Sequence, residues 1–212
     1  MGMDKLRWKL VLVAALCAAP VGAGAQDAGD PDFAAAQQLV TQKKYAEAVP
    51  ALEKFLAAFP KHDRVVQARL ALGESLLALE KPDAAARTYQ AALAAMPAPD
   101  LRTEALLGLG RVRLALQQDQ AALEALTEAF DLTAQDPRNG PVASILYGCA
   151  LTRLGRYTDA ARAYDRVERW PTHPEAPRAH YLVGESYSRA GNLQEAAITL
   201  RLVSEKYWRQ PF

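Results

Sequence analysis

The chain has 212 residues, half of them hydrophobic, with only 8% aromatic residues and a formal net charge of +1. That length holds one or two ordinary domains or a single run of short repeats, and the alanine-rich, aromatic-poor balance favours packed helices over a β-sandwich. A charge so close to neutral gives no strongly basic surface, which argues against nucleic-acid binding.

The first 25 residues differ from the rest. Lys5, Arg7 and Lys9 form a basic start, Leu10 to Ala19 is an uncharged apolar run, and Pro20 breaks it ahead of Ala23-Gly24-Ala25. This is the pattern of a secretory signal peptide over residues 1–25, cleaved between Ala25 and Gln26. The apolar run is about half of the ~20 residues that span a bilayer, so stable membrane insertion after cleavage is not expected. Cys17 follows Leu16, where a lipoprotein signal wants a small residue, and belongs with the discarded peptide. The expected mature chain keeps one cysteine, Cys149, which excludes an internal disulfide, and holds 22 basic against 23 acidic residues. Residues 26–31 are expected to form a short linker. The expected location is the periplasm, with the outer membrane reached only through partners.

From residue 32 onward the dominant signal is internal repetition. A small residue inside one helix is followed twelve residues later by an alanine inside the next: Ala36 with Ala48, Gly73 with Ala85, Gly110 with Ala122, Gly148 with Ala160 and Gly184 with Ala196. Successive pairs lie 36 to 38 residues apart. A glycine inside a helix costs about 1 kcal/mol relative to alanine, so mid-helix glycines in this register need a compensating cause. Close crossing of two antiparallel helices, with glycine facing alanine, would supply it. Leu72, Leu109, Tyr147 and Val183 precede the glycines and are expected to fill the space between helices.

Turn signals fall between the paired positions, at Lys43-Lys44-Tyr45, Glu80-Lys81-Pro82, Gln118-Asp119, Gly155-Arg156-Tyr157 and Gly191-Asn192-Leu193. Gly155 and Gly191 suit the left-handed conformation that ends a helix. The second helices carry apolar residues at helical spacing, as in Ala48, Leu52, Phe55 and Leu56, or Ala85, Tyr89, Ala92 and Leu93. Prolines at Pro60, Pro97, Pro137 and Pro171 close or follow them. The fold expected is all-α: an α-solenoid of about five helix-turn-helix repeats over 32–212, placed at roughly 29–62, 66–99, 103–137, 141–174 and 177–210.

The runs Tyr45-Ala46-Glu47-Ala48 to Pro60, and Gly148 through Gly155-Arg156-Tyr157-Thr158-Asp159-Ala160 to Tyr164, resemble the tetratricopeptide-repeat (TPR) signature. The match departs from that signature at Ala36, at Pro82, in the longer exit from Thr133 to Pro137, and at the missing proline of the fifth repeat. Phe59-Pro60-Lys61-His62 and Trp170-Pro171-Thr172-His173-Pro174-Glu175-Ala176-Pro177, with a period above 34, are similar to exported repeat proteins of the Gram-negative envelope, of BamD and YbgF type. The lipid cysteine of the first and the coiled coil of the second are missing.

The TPR resemblance implies a concave groove lined by the first helix of each repeat. Its positions fall on Gln67, Leu70, Glu74 and Leu77; on Glu104, Leu107, Arg111 and Leu114; on Ile145, Cys149, Thr152 and Arg153; and on Arg178, Tyr181, Glu185 and Arg189. Glu74, Arg111, Arg153, Arg178, Tyr181, Glu185 and Arg189 are the candidate partner-binding residues. The last four share one helix face and mix an aromatic with guanidinium groups, as binding hot spots do. Glu74, Arg111, Cys149 and Glu185 stand where a carboxylate-clamping TPR carries asparagine, which argues against that clamp.

No catalytic motif, phosphate loop or metal-ligand spacing is present, and no cofactor is expected. His62, His173 and His180 read as surface histidines, and Cys149 as a half-buried thiol. The C-terminal residues Ile198, Leu202, Val203, Tyr207, Trp208 and Phe212 form an apolar end, either folded back on the last helix or covered by a second copy. The function expected is a non-enzymatic scaffold or adaptor in the periplasm. It would bind a peptide or protein surface in envelope assembly or maintenance. An accessory module for polysaccharide- or peptidoglycan-processing enzymes is the alternative.

Overall fold

The computed structural model describes residues 23–95 and 97–207, with side chains from residue 29 onward. The expected signal peptide, apart from its last three residues, and Trp208 and Phe212 lie outside that range. In chain order the helices are α1 (Ala23–Thr41), α2 (Tyr45–Ala58), α3 (Val65–Ala78), α4 (Pro82–Ala94), α5 (Pro99–Ala115), α6 (Asp119–Leu132), α7 (Gly140–Arg153), α8 (Tyr157–Asp165), α9 (Ala176–Arg189) and α10 (Leu193–Tyr207). A 3-10 turn, Arg166–Arg169, extends α8. Residues 26–31, expected as a linker, are part of α1.

Each reversal within a hairpin is built the same way. Lys43, Glu80, Gln117, Gly155 and Gly191 take a positive φ, and the amides of each and of the residue after it return to carbonyls of the preceding helix. In the first turn, Lys43 N–H donates to the Val40 carbonyl and Lys44 N–H to that of Leu39. This double closure satisfies carbonyls that the helix end would otherwise leave bare. Three of the five turn residues are not glycine and hold a strained conformation at φ near 58°, a cost of about 1 kcal/mol each.

The small residues are buried as the register requires: Ala36, Ala48, Ala85, Ala122 and Ala160 fully, and Ala196 nearly so. The partner of each glycine is different from the one expected. A Cβ on Gly73 would fall within 3.0 Å of the Tyr89 ring, one on Gly110 of Leu126, one on Gly148 of Tyr164 and one on Gly184 of Leu200. The glycine therefore admits the large residue sixteen positions later, on the second helix, rather than facing the alanine twelve positions later. The alanines keep the rest of the second helix slim.

Hairpins then stack. First helices lie close against the first helix of the next hairpin (α1 with α3, α3 with α5, α5 with α7, α7 with α9), whereas among the described residues the backbones of successive second helices stay further apart. That asymmetry bends the stack and puts the first helices on its inner, concave side. Loops between hairpins reuse one device. His62 Nδ1 accepts the Arg64 amide, Asp136 Oδ1 that of Arg138 and His173 Nδ1 that of Glu175, each two residues on and just ahead of the next helix.

Two of the three histidines are buried, not on the surface. His62 packs edge-on against Phe55 and faces Gly29 of α1. The ring of His180 lies against Tyr207, with its nitrogens facing the Ala176 carbonyl at 2.7 Å and Glu168 at 3.2 Å. Arg166 is half-buried: it lies over the Phe130 ring and donates to the Phe130 carbonyl and Ser144 Oγ. Burial, with Arg169 beside it, pulls that guanidinium down to about 10. At the C-terminal end, Val203 and Tyr207 are buried while Ile198 and Leu202 face outward.

Two alanine substitutions separate these roles. Gly155→Ala meets no neighbour, so it should cost only the positive-φ strain, about 1 kcal/mol. Gly148→Ala gains about 1 kcal/mol of helix propensity yet drives a methyl into the buried Tyr164 ring, and overpacking of ~1–3 kcal/mol should dominate. Urea unfolding of both variants checks this; stabilisation by Gly148→Ala would contradict it.

Candidate binding groove

Tyr89 and Tyr164 hold the same position in their hairpins, and their hydroxyls have opposite surroundings. The Tyr164 hydroxyl is 3.2 Å from Thr152 Oγ1 and 3.5 Å from Cys149 Sγ, both on its own first helix. In the Tyr89 hairpin the residues at those places are Leu77 and Glu74. The ring end of Tyr89 passes between Gly73 of α3 and Gly108 of α5, since a Cβ on either would meet it within 3.0 Å. Its hydroxyl arrives on the concave face, where no hydrogen bond within the described residues holds it.

That face is a cavity of about 600 Å³ formed by α1, α3, α5 and the loop before α7. Val40, Leu70, Ala71 and Leu107 give it an apolar floor, and Gln37, Gln67, Glu74, Glu104, Arg111, Arg138 and Asn139 give it polar walls. The Oε1 atom of Gln67 is buried without a partner. Lys43, Glu74, Glu104, Arg111 and Arg138 all line this space, and among the described residues none of them forms an ion pair. Burial, reinforced by the charges of Glu74 and Glu104 and opposed by Arg111, pushes the Tyr89 phenol up to about 12. The phenol is therefore a neutral group facing charged ones at neutral pH.

Of the seven candidate residues, the cavity collects Glu74 and Arg111, and of the wider groove set also Gln67, Leu70, Glu104 and Leu107. Arg153 lies apart, donating to the Leu114 carbonyl and pairing with Asp119 at 3.3 Å. On α9, Arg178 pairs with Glu175 and Arg189 with Glu185, so both guanidiniums are engaged along their own helix, and Tyr181 stands half exposed beside them. Leu114 and Ile145 are buried, and Leu70 and Leu107, though mostly buried, still line the cavity. Tyr89, Arg138 and Asn139 escape sequence reasoning, because their approach to the groove depends on how hairpins stack.

The tetratricopeptide-repeat family model matches residues 33–99, 70–137 and 146–211. The chain belongs to the tetratricopeptide-repeat family. None of the curated proteins compared with it matches. Among solved structures, the MamA protein is similar at 23% identity and a TM-score of 0.71, over 88% of this chain and 94% of that one. YrrB, described as a TPR protein with an unusual peptide-binding site, is similar at 23% identity and a TM-score of 0.68, over 85% and 87%. A kinesin light chain-like protein of Podosopora anserina with nearly identical TPR-like repeats follows at 19% identity and 0.69, over 87% and 99%. At these identities the likeness carries the TPR fold, and it does not single out the envelope proteins.

The phenol environment has a measurable consequence. Folded Tyr89 resists ionisation that the unfolded chain undergoes near pH 10, so the stability it contributes is complete below pH 10 and is lost as pH rises toward about 12. Burial pushes Tyr164 up as well, so both tyrosines act in that alkaline range. Ultraviolet phenolate titration should find one fewer late-titrating tyrosine in Tyr89→Phe, and the alkaline fall in stability should be shallower in that variant. An unchanged late-titrating population would contradict the assignment.

Proposed function

We propose that the chain is an exported, non-catalytic adaptor that holds a segment of a partner protein in the concave groove of its first three repeats, and that it serves assembly or maintenance of the cell envelope. The observation that carries the binding reading is the groove wall: charges of both signs, unpaired within the described residues, stand around an apolar floor. Exposed groups left without partners lose little in water, and they gain when a ligand both pairs them and excludes solvent. The α9 face offers the opposite case, since its guanidiniums already have carboxylate partners. TPR membership supports protein binding as the class of function. The envelope assignment is supported by the basic start, apolar run and Ala23-Gly24-Ala25 of the N-terminus.

The test is a crosslinking pull-down from periplasm with the mature chain. Captured partners should be lost in a Glu104→Ala/Arg111→Ala variant and kept in Tyr181→Ala/Arg189→Ala. The reverse pattern would move the site to the fifth repeat. The chain recovered from the periplasm should begin at Gln26; retention of the full chain in the cytoplasm would remove the envelope reading.

A further inference from the structure

The groove contains a built subsite whose chemistry is narrower than peptide binding in general, and its assignment depends on the groove being the partner-binding face. Three observations meet there. Tyr89 is only 6% exposed, yet it lines the groove and none of the described residues partners its hydroxyl. Glu74 on α3 and Glu104 on α5 stand on facing helices, both close enough to act electrostatically on that hydroxyl, and neither has an ion-pair partner among the described residues. Leu70 and Leu107 provide an apolar shelf on the same two helices, and the buried Gln67 Oε1 adds a further polar atom that lacks a partner.

Of the charged groups that act on the phenol, the carboxylates of Glu74 and Glu104 outnumber the guanidinium of Arg111, while Lys43 and Arg138 also line the cavity. Tyr164 supplies an internal comparison. There the same position is closed by Thr152 and Cys149, so a tyrosine hydroxyl left open is particular to the second hairpin rather than general to the repeat.

We infer that the subsite formed by Tyr89, Glu74 and Glu104 receives the cationic side chain of a lysine or arginine from an extended partner peptide. The ammonium or guanidinium supplies N–H donors to the two carboxylates and to the phenol oxygen, which at neutral pH is an uncharged acceptor. The aliphatic stem of the same side chain lies along Leu70 and Leu107, as long basic side chains do on apolar surface. Charge-assisted hydrogen bonds shielded from water are the strong kind. A neutral or acidic side chain at this point would leave the carboxylates unpaired and face them with the wrong partner.

The experiment is selection of a displayed library of random peptides on the purified mature chain, followed by fluorescence polarisation with one selected peptide. Selected peptides should share a Lys or Arg at a fixed place beside an apolar residue. Changing that residue to Gln should weaken binding roughly tenfold, and the Glu74→Gln/Glu104→Gln variant should lose the preference for it. Tyr89→Phe, which removes only the hydroxyl, should weaken the basic peptide several-fold and leave its Gln counterpart unchanged, with the helical circular dichroism signal intact in both variants. Peptides selected in the groove without a basic residue, or with an acidic one, overturn this inference and leave the groove reading standing. A library that yields no peptide at all overturns both.

Discussion

The structure depends on one contact made in four of its five hairpins: a large side chain from the second helix seated where the first helix has no Cβ. Gly73 with Tyr89, Gly110 with Leu126, Gly148 with Tyr164 and Gly184 with Leu200 are four instances of it. In the first hairpin Ala36 and Leu52 keep the same spacing, and both are fully buried. Each glycine gives up helix propensity of about 1 kcal/mol. Burying a leucine or aromatic side chain against the opposite helix returns roughly 1.5–3 kcal/mol. The balance favours a tight hairpin, and tight hairpins leave an apolar face that only the next hairpin can cover.

The groove is a product of that packing. Because the backbones of first helices approach one another more closely than those of second helices, the stack curves and the inner face becomes concave. In the second hairpin the seated residue is a tyrosine, and a further glycine, Gly108, opens the neighbouring helix to it. A residue that elsewhere serves only packing thus carries its hydroxyl through to the binding surface. The same contact builds the core and furnishes the groove.

Much of the architecture is legible in the sequence, because the repeat signal is local and recurrent. The twelve-residue Gly-to-Ala interval marks the hairpins, and Gly155 and Gly191 mark two of the turns. The other turns are hidden, since Lys43, Glu80 and Gln117 adopt positive φ without being glycine. The glycine's true partner is masked because alanine recurs at a constant interval, whereas the residue sixteen positions on varies between leucine and tyrosine. Tyr89 reads as one more apolar residue of α4, and nothing along the chain distinguishes it from Tyr164; the difference lies in Glu74 and Leu77 on the facing helix. His62 misleads for a related reason, its burial coming from Phe55 and Gly29 in other helices. The α9 quartet is attractive as a pattern, but its guanidiniums are held by carboxylates close by in the chain.

The most direct measurement of the central claim is a double-mutant cycle at the window between α3 and α5. Gly108→Ala in the natural chain should cost about 2 kcal/mol in urea unfolding, because its methyl meets the Tyr89 ring. In a Tyr89→Ala background the same substitution should be neutral or should stabilise by up to ~1 kcal/mol through helix propensity. An equal cost in both backgrounds would show that the glycine is not there to admit the ring.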